Sequence, residues 1–197
     1  MEEPMRRISI RMYATLDGFA EFVKYPGSDD PDANQGADFR IMWADHYDST
    51  DTILFGRKSY EATAGFWPTS KWTEGPKLLR DHSAWMESTP KIVFSNTLKV
   101  ANWANTTIVG GDVSRAVSKL RAEPGKNMVL HGGPTIVQEF VRLGLIDDYW
   151  LFLSPVLLGK GQPLFGPLQS QQNLKLVDTR TFRDGEVLLR YTAIRQD

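Results

Sequence analysis

The amino-acid sequence predicts an α/β protein with a mostly parallel sheet covered by helices on both faces. Three observations carry that expectation. Short apolar segments that read as strands are followed by helix-like segments of roughly 8 to 12 residues. Glycine recurs where those strands end and the next helix begins. At the C-terminus two strands turn back on each other about Arg183-Asp184-Gly185-Glu186, which adds an antiparallel edge. The chain has 197 residues, 41% hydrophobic and 24% charged, enough apolar surface for a core in a single domain spanning 1–197.

Each element follows from local pattern. Ile8 to Thr15 alternates Ile8, Ile10 and Met12 with Ser9 and Arg11, and it breaks at Asp17-Gly18. Prolines, glycines and aspartates between Lys24 and Gly36 predict a long acidic loop over about 24–37. From Phe39 to Tyr47 the spacing of Phe39, Met42, Trp43 and His46 predicts a helix. Thr52 to Phe55 is a short strand, and Gly56-Arg57-Lys58-Ser59 opens a helix behind it. An irregular linker from Gly65 to Pro76, holding Trp67, Pro68 and Trp72, leads to a helix from Lys77 to Met86.

Lys91 to Ser95 and Thr107 to Val109 are further strands. After Gly110-Gly111, either Asp112 or Ser114 caps a helix running to Ala122. Asn127 to His131 is a strand, Gly132-Gly133-Pro134 a tight turn, and Thr135 to Leu143 a helix closed by Gly144. Tyr149 to Pro155 is a strand and Val156 to Gly166 a glycine- and proline-rich loop. The closing hairpin pairs Leu174 to Phe182 with Val187 to Arg195.

Composition excludes several functions. Lys and Arg total 23 against 24 Asp and Glu, so no basic excess draws nucleic acid or a membrane surface. With no cysteine there is no disulfide, thiolate metal site or cysteine nucleophile. The start Met-Glu-Glu-Pro-Met-Arg-Arg lacks the apolar stretch of a signal peptide, and no apolar run approaches the ~18 residues of a membrane span. The expectation is a soluble, cytoplasmic protein acting on a small molecule. The three histidines have no spaced partner, so no metal site is expected, and each reads first as a packed or rim residue. His131 stands out by abutting the glycine pair.

Chemistry is expected at the strand-to-helix turns Gly56-Arg57-Lys58-Ser59, Gly110-Gly111-Asp112 and Gly132-Gly133-Pro134-Thr135. Helix starts offer unpaired N–H groups and the positive end of the helix dipole, which suit phosphate. Ligands of open α/β sheets sit beyond the carboxyl ends of the strands. Three such turns suggest an extended, phosphate-bearing ligand such as a dinucleotide. Arg57 and Lys58 add cations, Ser59 a hydroxyl, and Ser95-Asn96-Thr97 small polar groups.

Several runs together resemble the dihydrofolate reductase superfamily. They are Ala14-Thr15-Leu16-Asp17-Gly18, Asp51 to Glu61, Lys91 to Leu98, Leu130-His131-Gly132-Gly133-Pro134-Thr135, Leu145 to Asp148, and Ser154-Pro155-Val156-Leu157-Leu158-Gly159-Lys160-Gly161. The match is best with the branch named after the C-terminal domain of the riboflavin-biosynthesis deaminase–reductase RibD, and it runs from about Arg7 to the last strand. The resemblance implies a three-layer dihydrofolate reductase-like fold, with a mainly parallel sheet of about eight strands and an antiparallel C-terminal edge. It also implies NADPH as hydride donor and a homodimer.

Carried over by position, Gly56, Arg57, Lys58 and Ser59 resemble the cofactor phosphate turn, with Arg57 at the 2′-phosphate. Ser95 and Asn96 resemble the rest of the adenosine site. Gly132 and Gly133 resemble a glycine pair whose peptide is cis in the superfamily, and with Pro134 and Thr135 they would receive the pyrophosphate. Thr15, Leu16 and Asp17 would end beside the nicotinamide, with water or Asp17 as proton source.

Asp38 lies near the place of the acid that binds the pterin in dihydrofolate reductases, although an N-cap role for the Phe39 helix stays open. Trp43, on that helix, and Phe165, after the glycine loop, are the expected substrate-side aromatics. Riboflavin-pathway reductases resemble one another in a basic residue after the first Asp-Gly, where this chain has Phe19. The reading is therefore an NADPH-dependent reductase of a planar pterin- or pyrimidine-like acceptor. A riboflavin-pathway pyrimidine reductase and a non-catalytic cofactor-binding protein are the alternatives.

Overall fold

The computed structural model describes residues 5–21, 23, 43–67 and 76–195, with only the backbone of Asp45. The expected acidic loop, Asp38, the first part of the Phe39 helix, Pro68 and Trp72 lie outside the described residues. Eight strands form one sheet: β1 (Ile8–Thr15), β2 (Thr50–Gly56), β3 (Lys91–Phe94), β4 (Thr106–Val109), β5 (Asn127–Leu130), β6 (Asp148–Ser154), β7 (Leu174–Thr181) and β8 (Val187–Ala193). Their spatial order is β4-β3-β2-β5-β1-β6-β8-β7. The pairings from β4 to β6 are parallel, and β8 pairs antiparallel with both β6 and β7. The expected mainly parallel sheet with an antiparallel C-terminal edge is therefore present.

Helices α1 (Arg57–Phe66), α2 (Lys77–Ser88), α3 (Val113–Ala122) and α4 (Pro134–Arg142) fill the connections. Side-chain alternation along the central strands sorts the core into two clusters. Ile8, Ile10, Met12, Leu54, Met128 and Leu130 face α3 and α4 through Val117, Val137 and Phe140. Ile53, Phe55, Val93, Val129, Trp150 and Phe152 face α1 and α2 through Tyr60 and Met86, with Trp43. The result is three layers. No helix among the described residues is long and apolar enough to cross a membrane.

Two boundaries differ from expectation. The described part of the segment after Phe39 is a 3-10 turn, Ala44–Ser49, extending past Tyr47. Ser49 Oγ donates to the His46 carbonyl at 3.0 Å and closes that turn. β2 is longer than Thr52 to Phe55, because Thr50 pairs with Asn127 of β5 across a bulge and Gly56 pairs with Phe94 of β3.

The amino ends of the strands are tied by buried charges that find hydrogen-bond partners. Arg6 is 6% exposed; it donates to the Lys126 carbonyl at 2.7 Å, the Leu120 carbonyl at 3.2 Å and Thr52 Oγ1 at 2.6 Å, and pairs with Asp51. Asp147 accepts from the Ile8 amide at 2.7 Å and from Arg121 at 2.7 Å. Lys91 is fully buried, and its ammonium donates to the carbonyls of Thr89, Ala104 and Glu87 at 2.9, 3.1 and 3.2 Å. Three acceptors for three protons is the condition under which a buried ammonium is tolerated. Because β1 to β6 run parallel, their carboxyl ends, and all three glycine turns, share the opposite edge.

Candidate active site

The carboxyl edge is built around one side chain, Ile136 on α4. A Cβ placed on Gly132 would stand 2.3 Å from Ile136 Cγ2, and one on Gly56 would stand 2.9 Å from Ile136 Cβ. The glycines at the ends of β5 and β2 therefore let α4 settle against both strands. A β-branched side chain is stiff and cannot swing clear. Gly132→Ala is accordingly expected to lose roughly 1–3 kcal/mol of stability, read as the urea midpoint, and Ile136→Ala in the same chain to recover most of it. No recovery would mean that the contact does not set the geometry. Gly133, one residue on, has nothing within 4 Å of the corresponding position, so the backbone there is open to a ligand.

Three helices begin on this edge, and they are not equivalent. α3 is capped: Asp112 accepts from the Arg115 amide at 2.8 Å, and a carboxylate already occupies the place of an anion. Gly111 donates to Asn96 Oδ1 at 2.7 Å, and Ser95 Oγ accepts from the amides of Thr97 and Leu98 at 3.1 and 2.9 Å. In this geometry Ser95 and Asn96 fasten the ends of β3 and β4.

α1 and α4 have no side-chain cap and no acidic residue in the first turn, so their leading amides lack a partner of that kind. α1 instead opens with two cations, Arg57 and Lys58, at the positive end of its dipole. That placement costs roughly 0.3–1 kcal/mol per charge unless an anion is bound. Arg57 is held by Glu61 at 2.9 Å, while Lys58 is exposed. Ser59 donates to the Gly56 carbonyl at 3.0 Å and leaves its oxygen free to accept.

The first turn of the chain joins the same edge. Thr15 is fully buried; its Oγ1 donates to Asp17 at 2.6 Å and accepts from the Phe19 amide at 3.0 Å. Asp17 also accepts from the Gly159 amide at 2.7 Å, and the Leu16 amide donates to the Val156 carbonyl at 3.0 Å. These bonds clasp Leu16-Asp17-Gly18 to the glycine loop. Gln162 in turn donates to Thr135 Oγ1 at 3.3 Å on the first turn of α4. The hydrogen bond from Thr15, then that from Gly159, hold the Asp17 carboxyl below its ordinary range. Asp17 is thus an ionised brace with no proton to give at neutral pH.

The structure brings Thr15, Leu16, Asp17, Gly56 to Ser59 and Gly132 to Thr135 onto one edge, spanning β2, β5 and β1. Asp38 lies outside the described residues. Phe165 does not stand at this edge. The loop doubles back after the Phe19–Pro163 bridge, Gln138 on α4 donates to the Pro163 carbonyl at 2.6 Å, and the Phe165 ring packs edge-on to Tyr149, near the amino end of β6. Trp43 is buried with His131, His82 and the Arg11 guanidinium around it, their centres 4.9, 5.4 and 5.5 Å from its ring, so it supports His131 from below. The implied cis peptide between Gly132 and Gly133 is absent, as no described peptide is cis. The trans form is the lower in energy for a non-proline peptide by about 3–4 kcal/mol.

His131 is the residue that spacing undervalued. It follows β5 directly, its amide donates to the Leu54 carbonyl at 2.8 Å, and its ring lies against Phe55 and Trp43. Its Nδ1 is buried with no hydrogen-bond partner among the described residues. Burial pushes its pKa down to about 4, so the ring is neutral at pH 7. A neutral imidazole with one unmet nitrogen is a ready hydrogen-bonding group for a polar heterocycle.

Known proteins place this site in context. The model of the RibD C-terminal domain matches residues 6–188. The uncharacterized protein YyaP of Bacillus subtilis is 35% identical over 192 residues, 94% of each chain. A solved Shewanella sp. PV-4 protein, named for riboflavin biosynthesis, superposes with a TM-score of 0.69 at 22% identity, covering 96% of this chain and 99% of that one. The Thermotoga maritima diaminohydroxyphosphoribosylaminopyrimidine deaminase/5-amino-6-(5-phosphoribosylamino)uracil reductase gives a TM-score of 0.62 at 17% identity, over 96% of this chain and 57% of that one. These structural likenesses bear on the fold.

Proposed function

Because the chain belongs to the RibD C-terminal domain family, we propose that it is an NADPH-dependent reductase passing hydride to a small planar pterin- or pyrimidine-like acceptor. The observation that carries this reading is the meeting of two uncapped helix starts, α1 and α4, locked to each other through Ile136, with two cations on one of them. Those features fit a dinucleotide carrying an extra phosphate. Arg57 and Lys58 would take the 2′-phosphate, and the amides from Gly133 to Thr135 the pyrophosphate. NADPH supplies the hydride when bound. What the protein supplies is orientation and the exclusion of water.

Thr15 and Leu16 would flank the nicotinamide, and Asp17 keeps their turn closed against the glycine loop. The unmet His131 nitrogen holds a polar edge of the acceptor. With Asp17 ionised, we assign the proton to water. A phosphoribosyl pyrimidine is the poorer fit at the first turn: Phe19 stands where a cation would be, its ring 3.3 Å from the Cβ position of Gly161.

Titrating the protein with NADPH while following cofactor fluorescence tests the reading. Saturable binding in the micromolar range is expected, with NADPH consumed when a suitable pterin or pyrimidine is present. No binding would sink it, and binding without turnover across such a panel would favour a non-catalytic, cofactor-binding protein.

A further inference from the structure

At the opposite end of the sheet, near the amino ends of β1, β2, β5 and β6, lies a pocket of about 220 Å³ lined by Arg7, Arg11, Arg190, Asp148, His46 and Trp150 among others. That volume is below the roughly 300–1,000 Å³ of drug-sized ligand sites, so it suits one anionic group with little attached. Three guanidiniums meet here, and the two nearby carboxylates are already engaged. Asp148 is held by Arg7 at 2.9 and 2.7 Å. Asp178 is shared by Arg190 at 3.4 Å and Arg180 at 3.6 Å.

Arg11 is what remains. It sits in the middle of β1 and is 7% exposed. No hydrogen bond or ion pair is made by its guanidinium among the described residues, and its Nε is buried without an acceptor. Among the described residues its guanidinium lies over the ring faces of Trp43 and Trp150, at 5.5 and 5.7 Å. Arg190 stacks on Trp150 at 3.8 Å, and its Nε too is buried and unmet. The contrast with Arg6 is direct: equally buried, Arg6 has three oxygen acceptors and a carboxylate. Aromatic faces offset part of a cation's lost hydration but supply no lone-pair acceptor for its N–H groups. A buried charge left in that state is strongly destabilising unless something else pairs it. Burial pushes the pKa of Arg11 down to about 9, which still leaves it charged at neutral pH.

We propose that this pocket is a second ligand site, which binds a phosphate-type oxyanion between Arg11 and Arg190, at the end of the sheet away from the glycine turns. The anion supplies the acceptors that Arg11 and both Nε groups lack. A dianionic phosphate suits the site better than a carboxylate because it brings more acceptor oxygens to two forked donors. Free phosphate and a small phosphate monoester share this chemistry.

The test is thermal melting at constant ionic strength, with inorganic phosphate, ribose 5-phosphate and chloride as probes. Wild-type protein is expected to gain roughly 5–10 °C in Tm at about 100-fold excess of phosphate over Kd, rising with the logarithm of phosphate concentration, and nothing from chloride. The larger gain of the two phosphates identifies the source. Arg57→Ala keeps this gain, which separates it from anions held at the glycine turns. Arg11→Met abolishes the phosphate-dependent gain, and without phosphate it melts no lower than wild type because it removes an unpaired buried charge. A gain that persists in Arg11→Met overturns the proposal. So does a wild-type dimer that falls to monomer in Arg11→Met, which would make Arg11 the receiver of a carboxylate from a second copy.

Discussion

Arg57→Ala is expected to weaken NADPH binding by roughly 10- to 100-fold and to leave NADH binding nearly unchanged, measured by fluorescence titration of both cofactors. The size follows from the net loss of one hydrogen bond to a charged phosphate, about 1.5–3 kcal/mol. The selectivity follows from chemistry: NADPH carries the 2′-phosphate that Arg57 would meet and NADH does not, whereas both cofactors would use the Gly132–Gly133 turn for the pyrophosphate. Glu61 gives the same argument an opposite sign. It pairs with Arg57 at 2.9 Å across one helical turn, and both side chains are exposed. An exposed pair of this kind contributes only about 0.3–0.5 kcal/mol. Glu61→Gln should therefore tighten NADPH by about twofold without changing NADH. Equal losses of both cofactors in Arg57→Ala would remove the phosphate role and leave the residue a helix-surface ion pair.

The fold was legible because its strands are short, apolar and bounded by glycine, and because parallel sheets buried on both faces leave that signature. Boundaries slipped where side chains override pattern: Thr50 and Asp51 read as polar, yet β2 begins at Thr50 and runs through Gly56. The carboxyl edge was legible as three glycine turns and Asp112 as one of two cap candidates; the structure selects Asp112 and shows that α1 and α4 have no side-chain cap. Gly56 and Gly132 also carry a meaning that spacing does not contain, since what forbids a side chain there is Ile136, distant in sequence from Gly56.

Phe165 was misplaced because one strand-like bridge, Phe19 to Pro163, turns the loop back along the sheet. Arg11 was read as the polar member of an alternating strand. The available signal was its setting: a charge inside a strand covered on both faces has no route to water and needs a partner.

Acid should unfold this protein through its histidines before its carboxylates. His82 is buried among Trp43, Trp67 and Trp85, accepts or donates one hydrogen bond with Tyr47 at 2.8 Å, and has its pKa pushed down to about 3 by burial. His131 is pushed to about 4 for the same reason. Both lie below the ordinary histidine value of 6.5, so the unfolded chain takes up protons at a higher pH than the folded one. Their contribution to stability is complete above pH 6.5 and is lost as the pH falls through the window down to about 4. Each costs at most about 1.4 kcal/mol per pH unit there, and the two together about 2.7.

The carboxylates with depressed values, Asp17 and Glu139, act lower, since what they lend is lost only below the ordinary carboxylate range. The upper window thus belongs to the histidines. Urea midpoints measured from about pH 7 to about pH 5 should fall steeply in wild-type protein and about half as steeply in His82→Gln, which keeps a hydrogen-bonding group but no titration. His131→Gln should halve the slope independently, which guards against a His82 variant too unstable to measure. A slope unchanged in both would show that neither ring is protonated on unfolding, and the neutral His131 assigned to the acceptor site would fall with it.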